Sequence, residues 1–437
     1  ARTYDQIEES EKAIETLNKA LKLEELLGDL RGQVYTLSFI ATIYDLKKET
    51  EKALKYHNQA LELARKIGDR KGQALSLSNL ATNYQSKGEL TKAVEQFNQA
   101  LSLWKITGER SNEALMLYNL AYIERRQDKL KEALDKIKQA VEIVESIRST
   151  VINQDLKTSY FASVQDFYEL YIDLLISLHA DSPKAGYDAE ALKVSERAKA
   201  RSLLEMLREA KADIRQGISQ ELLEREQILK SQLESKEQNY LRLIQRKHTL
   251  EENKIAKKEL DQALSEYQNL QTEIRQKSPR YAALTQPQPV SLKEIQQELL
   301  DEDTLLLEYF LGKEKSFLWA VTKNSINAFT LPKQQEIDDL GQQLYRLLIE
   351  RAESGNDLQA KRITKQELDE RISNADKELP KLVVKLSKTI LSPITNQMNK
   401  KRLVVVGDGS LQYVPFSVLI NPNEIKNEET IFNPLIN

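Results

Sequence analysis

Through the first 150 residues apolar positions recur three and four apart, as at Leu77, Leu80, Ala81 and Tyr84, which predicts helices with one buried face. The arrangement itself recurs. Gly28-Asp29, Gly68-Asp69 and Gly108-Glu109 stand forty residues apart, as do Ala13, Ala53, Ala93 and Ala133, and Leu37, Leu77 and Leu117. Ala20-Leu21, Ala60-Leu61, Ala100-Leu101 and Ala140-Val141 keep the same step. Breaks at Lys87-Gly88 and at Ile67-Gly68-Asp69 divide each unit into two helices. One helix pair cannot bury its apolar face alone, so successive pairs must stack, with the small Ala residues allowing close approach.

Beyond 150 the forty-residue step stops, but helical spacing continues through TSYFASVQDFYELYIDLLISLHA. Tyr160, Phe161, Phe167, Tyr168 and Tyr171 form an aromatic stripe suited to capping the stack, and Ser182-Pro183 with Gly186 marks a loop. In AEALKVSERAKARSLLEML, the cations Arg197, Lys199 and Arg201 lie within helical steps of Glu190, Glu196 and Glu205. That spacing favours a solvated, internally paired face over a basic patch. Residues 218–277 lack Gly and Pro, and their Leu and Ile positions predict two antiparallel helices of a coiled-coil hairpin, turning near Glu252-Asn253-Lys254. Such a hairpin serves as a spacer or as a self-association surface. SPRYAALTQPQPVS (278–291), with three prolines, ends the helical half, and limited proteolysis is expected to nick first somewhere after Ser278, where half an α/β domain lacks the rest of its sheet.

The spacing then changes. TLLLEYF (304–310), SFLWAVT (316–322) and SINAFTL (325–331) read as an antiparallel meander. Polar helices are expected at about 335–352 and 365–391, before KKRLVVV supplies a fourth strand. Because that strand is apolar without alternation, it is expected to be central in a helix-covered sheet. The fold class that follows is mainly α: an α-solenoid over 1–150, capping helices over 151–215, a coiled-coil hairpin over 216–277, and the first part of an α/β domain over 278–437.

Composition narrows the chemistry. Lys+Arg number 64 against 67 Asp+Glu in 437 residues, so the whole chain exerts no net pull on nucleic acid or an anionic membrane. Lys400-Lys401-Arg402 read as solubilising cations flanking a strand. No run approaches the roughly 20 apolar residues that span a bilayer. Cysteine is absent, which removes disulfides, thiolate metal sites and a cysteine nucleophile from these residues. No cofactor or metal is expected, and a reducing, cytoplasmic setting is the expected location. The chain opens partway through a repeat without Met, so a piece cut at both ends is expected.

Gly407-Asp408-Gly409-Ser410 follows the fourth strand and invites three readings: phosphate cradle, nucleophile turn or plain bend. A phosphate-binding loop wants a Lys that is missing here, and Pro415 follows too soon for a receiving helix. A nucleophile elbow wants Gly-x-Ser-x-Gly, and His57, His179 and His248 all lie in helical segments far away in sequence. The bend is the reading left.

LSLSNLATNYQSKGELTKAVEQFNQAL resembles the tetratricopeptide repeat in the longer-loop version of kinesin-light-chain-like arrays. LMLYNLAYIERRQDKLKEALDKIKQAV keeps most of that pattern, with Glu124 in place of Tyr44 and Tyr84 and Asp128 in place of Gly88. The resemblance implies a concave groove for a protein or peptide, with Asn79 and Asn119 facing a peptide backbone and Asn83 one turn further on. The first unit departs with Phe39, and an Asn ladder serving neighbouring repeats or solvent is the plainer alternative. VVVGDGSLQYVPFSVL closely resembles the CHAT domain signature, and SERAKARSLLEML, SPRYAALTQPQPVS and TLLLEYFLGKEKSFLWAVT resemble segments that accompany it after such repeats. CHAT domains are similar to caspase and separase peptidases. The resemblance makes Asp408-Gly409 a strand-end turn and Pro415-Phe416 a packing element, and it places the catalytic His and Cys beyond Asn437. Gly407 stands where the family often has Pro. Two functions are then expected: a repeat scaffold recruiting a partner to a cysteine peptidase domain, or a scaffold whose CHAT-like region is inactive. Neither involves nucleic acid or membrane.

Overall fold

The computed structural model describes residues 2–150, 154–209, 218–244, 249–278, 290–359 and 364–425. It divides into two compact units, Ala1–Leu178 and His179–Asn437.

The first unit is the helical stack: α1 Arg2–Leu27, α2 Leu30–Leu46, α3 Thr50–Lys66, α4 Arg70–Ser86, α5 Leu90–Thr107, α6 Arg110–Arg126, α7 Leu130–Thr150 and most of α8 Gln154–Asp181. Helices end where the backbone turns left-handed. Gly28, Gly68, Gly88 and Gly108 hold φ of +69°, +69°, +79° and +75°, a region glycine enters without a Cβ penalty. Lys48 and Asp128 adopt φ of 59° and 60° at the matching turns, so the loop survives without glycine. Asp29 and Asp69 restart the chain, accepting from the N–H groups of Gly32 at 2.9 Å and Lys71 at 3.2 Å. Inside, Ala53, Ala60, Ala93, Ala100, Ala133 and Ala140 are fully buried beside Leu80, Phe97, Leu120 and Ile123. Of the expected aromatic stripe, Phe167, Tyr168 and Tyr171 are buried, and the Phe167 ring stacks on Tyr118 at 4.6 Å. Tyr160 and Phe161 lie outside the described side chains.

In the second unit come α9 Tyr187–Glu209, then the hairpin α10 Gln220–Ile244 and α11 Leu250–Lys277. The hairpin closes on Ile218, Leu222, Leu270 and Ile274. The expected turn at Glu252–Lys254 is not one: those residues lie in α11. Thr249 caps α11 and exchanges hydrogen bonds with Glu252, so the polar cluster is the first turn of a helix rather than a break.

The sheet contains β1 Thr304–Phe310, β2 Ser316–Thr322, β3 Ser325–Leu331 and β4 Arg402–Val406, with α12 Gln334–Gln359 and α13 Lys365–Leu391 between the last two. Its order is β3-β2-β1-β4: the meander is antiparallel, and β4 runs parallel to β1 with Leu306 opposite Val404. One face, with Leu305, Leu307, Tyr309, Leu318 and Ala320, packs on Ile337 and Leu344 of α12 and on Val383, Leu386 and Ile390 of α13. The other face buries Leu306, Glu308, Phe310, Phe317, Trp319 and Val321. There α9 docks, with Trp319 Nε1 donating to the Asp188 carbonyl at 3.1 Å.

Two expectations fail here. β4 is an edge strand among the described residues rather than a central one, and Leu403 and Val404 are 37% and 45% exposed. An apolar strand signals how it is to be covered, but its neighbours are set by pairing, and among the described residues β1 alone pairs with it. Nor is the cationic stretch of α9 purely a solvated face. Lys199 Nζ lies 2.9 Å from Glu308 Oε1 on β1, in a half-dry seam. The side chains of Arg201 and Glu205 fall outside the described set.

Candidate functional site

The forty-residue step carries Asn79 and Asn119 to equivalent, half-buried places on α4 and α6. Phe39 occupies the matching place on α2 and is 58% exposed. Asn83 is not their equal. It is buried, and its amide donates to the Asn79 carbonyl at 3.1 Å, so it supports α4 from inside instead of presenting an amide at the surface. Phe39 opens onto a hollow of about 510 Å³ lined also by Lys12, Ala13, Thr16, Leu17, Thr42 and Ile43. At the starts of α3 and α5, cations are engaged. Lys52 pairs with Glu49 and lies 5.2 Å over the Tyr44 ring, while Lys92 repeats this with Glu89 and Tyr84 at 5.3 Å. Hydrogen bonding from Lys52 and Lys92 holds the Glu49 and Glu89 carboxyls below their usual range. The remaining Asn row offers neutral amide donors and acceptors, chemistry suited to a peptide backbone. His57, buried where Phe97 stands one unit later, meets Asp45 Oδ2 at 3.0 Å.

At the far end of the chain, β4 delivers Asp408 to the end of β1. Its Oδ2 accepts from the Leu311 N–H at 2.7 Å and its Oδ1 from the Gly409 N–H at 2.9 Å. Gly409 takes φ of +53°, and a Cβ there would stand 2.7 Å from Asp338 Oδ1. Asp338, on α12, already accepts from the Ser410 N–H at 2.7 Å. Pro415 leads into Phe416, whose ring lies 5.7 Å from that of Tyr309, and Tyr309 donates to the Ile390 carbonyl at 3.3 Å. Asp408, Gly409 and Phe416 are thus held against β1 and α12, whereas Pro415, expected to pack with Phe416, is exposed. Ser410 is buried with its hydroxyl directed to the Ile337 carbonyl, so this loop holds no activated nucleophile. Among the described residues no group of His, Asp and Glu is arranged to hold a metal.

Sequence reasoning passed over Glu308 and Ser195, and it read Glu196 and Lys199 only as members of a solvated, paired face. Glu308 is 1% exposed and accepts from Ser195 Oγ at 3.2 Å and Lys199 Nζ at 2.9 Å. Burial, then the charge and hydrogen bond of Glu308, push the Glu196 carboxyl up to about 7, with Lys199 pulling the other way. One signal was visible: Glu308 is the single charge in TLLLEYF.

Residues 1–25, 36–71 and 72–146 match family models described as tetratricopeptide repeat. The stack is therefore a tetratricopeptide-type array, the architecture of a protein-interaction scaffold. None of the curated proteins compared with the chain matches it. Among solved structures, BtubC (BKLC) from P. vanneervenii is 16% identical, over 64% of this chain and 94% of that one, at a TM-score of 0.34. Aspartyl phosphate phosphatase F from Bacillus subtilis is 16% identical, over 62% and 69%, at 0.35. A kinesin-light-chain structure with nearly identical TPR-like repeats from Podosopora anserina is 20% identical, over 42% and 98%, at 0.25. No described helix is long and apolar enough to cross a membrane.

Proposed function

We propose that the repeats hold an extended peptide of a protein partner, and that the region from 278 onward is the opening part of a CHAT domain, the caspase-like cysteine peptidase to which the partner is brought. For the first half, the supporting observation is the half-buried pair Asn79 and Asn119, repeated at one period on equivalent helices. An Asn side chain offers a donor and an acceptor together, as a peptide unit does, so it can bind any sequence in extended form while flanking side chains choose among them.

For the second half, the support is the Asp408–Phe416 loop, fixed to the sheet by Asp408 and by the Phe416–Tyr309 contact. This chain has no thiol, so on this reading the nucleophilic Cys is not among these 437 residues. Peptide cleavage there would run by thiolate attack on the scissile carbonyl with an imidazole relaying the proton.

The test has two arms. Replacing Asn79 and Asn119 together by Ala should weaken binding of peptides selected on the wild-type array about tenfold or more, roughly 1 kcal/mol per lost hydrogen-bonding side chain, with unchanged circular dichroism. Unaltered affinity assigns the ladder to neighbouring repeats or solvent. In the second arm the coding sequence after Asn437 is read: a His-Gly and a later Cys carry the peptidase reading, and absence of any Cys leaves an inactive, purely binding protein.

A further inference from the structure

The hollow beside Phe39 has a filled counterpart one unit later. Lys12, Ala13, Thr16 and Leu17, which form its wall on α1, stand forty residues before Lys52, Ala53, Tyr56 and His57 of α3. On α3 those places are covered by the closing turn of α2. Tyr44 lies under Lys52 and stacks on Tyr56 at 5.5 Å, and Asp45 meets His57 at 3.0 Å. Ala53, Leu54, His57, Ala60 and Leu61 are all buried there. Their counterparts Ala13, Ile14, Leu17, Ala20 and Leu21 are only half-buried, and Leu23, Leu26 and Leu27 are 60%, 84% and 81% exposed. By its place in the period α1 is the second helix of a pair, and the face that meets the first helix stands open to water.

We propose that this face is the socket of a helix of the α2 type from the same polypeptide, a helix that closes at Ala1, Tyr4 and Asp5. The source is argued from the period: those three residues stand forty before Ala41, Tyr44 and Asp45, which close α2. The joint then falls at Ile7-Glu8-Glu9, the counterpart of Lys47-Lys48-Glu49, where left-handed Lys48 makes the turn without a glycine. In the chain as it stands, residues 2–8 run on as the first turns of α1. The docking geometry is that of α2 on α3 carried back one step. α2, α4 and α6 are 17 residues each, and an amphipathic helix of that length covers the wall from Ala13 to Leu27. Docking buries Leu17, Leu21 and Leu23 and adds one member to the row of first helices ahead of Phe39. This socket stands apart from the peptide-binding reading and needs no ligand.

The test supplies the docking helix. Residues 30–40, LRGQVYTLSFI, are fused directly ahead of Ala1, so that the sequence reads on as it does into Ala41. The thermal midpoint of the first unit should rise by about 5 °C, and amide exchange across residues 13–27 should slow about tenfold. Thr16 is exposed in the chain as it stands, so Thr16→Glu should leave the unextended midpoint unchanged. In the extended chain the same substitution puts a charge into the socket and should remove the gain. The fused residues in scrambled order should give no rise. The natural source is checked by reading the coding sequence ahead of Ala1. Apolar residues are expected one, four and seven places before it, as Ile40, Leu37 and Val34 stand, all buried, before Ala41. No rise in the extended chain, an equal rise with the scrambled segment, or a gain that survives Thr16→Glu overturns the socket. Charged residues at those three places overturn its source.

Discussion

Asp408 acts through two backbone N–H groups on different elements. Removing its carboxylate leaves the N–H of buried Leu311 without an acceptor at the end of β1. Asp408→Ala should destabilise the second unit by about 2 kcal/mol, the usual cost of stranding a buried donor, seen as a lower urea midpoint in fluorescence from buried Trp319. Equal midpoints would return Asp408 to a surface role. At single residues the sequence was legible where local geometry decides the identity. Gly409 and the glycines closing the repeat helices announced left-handed turns, and Asp128 adopts the same turn although it broke the written pattern. It was illegible where the partner lies far along the chain. Lys199 has glutamates within helical reach, yet it pairs with Glu308, 109 residues away, a carboxylate buried on β1. Asn83 likewise shares its residue type with Asn79, and only its inward place on α4 separates the two.

Among elements, the strands of the meander were readable from end to end because turn residues bracket short apolar runs. The place of β4 was not. Its covering is a matter of composition, but its neighbour is a matter of which strand offers a free edge, and that is a property of the assembled sheet. The described β4 presents backbone groups along one side, with Val404 nearly half exposed. Open apolar edges template association with other strands. Val404→Lys should therefore suppress concentration-dependent light scattering of the purified chain while leaving its thermal midpoint within about 1 °C, since an exposed substitution costs only a few tenths of a kcal/mol. Undiminished scattering would show that the edge is covered in solution. The hairpin taught a related lesson: Glu252-Asn253-Lys254 has the polarity of a turn, but acids at a helix start are favoured by the unpaired N–H groups there, and Thr249 supplies the cap.

For the molecule as a whole, the regular step of the first unit has a physical consequence beyond peptide binding. The joints before α4 and α6 share one pattern, a left-handed Gly, an acid, then Arg, in Gly68-Asp69-Arg70 and Gly108-Glu109-Arg110. Excising residues 70–109 brings Asp69 against Arg110, so α3 meets α6 with alanines and leucines in the places it now offers α4. The shortened chain should keep a single cooperative unfolding transition for that unit, with helical circular dichroism reduced only in proportion to length. A deletion two residues smaller would rotate every later helix by roughly 200° and broaden or lower the transition. Equal behaviour of the two deletions would mean that the joints, not the helix faces, set the order. The array is in this sense a tiling. Whole tiles can be gained or lost at little cost to folding, whereas slips within a tile are punished, so its length can drift in evolution by duplication while its curvature stays fixed.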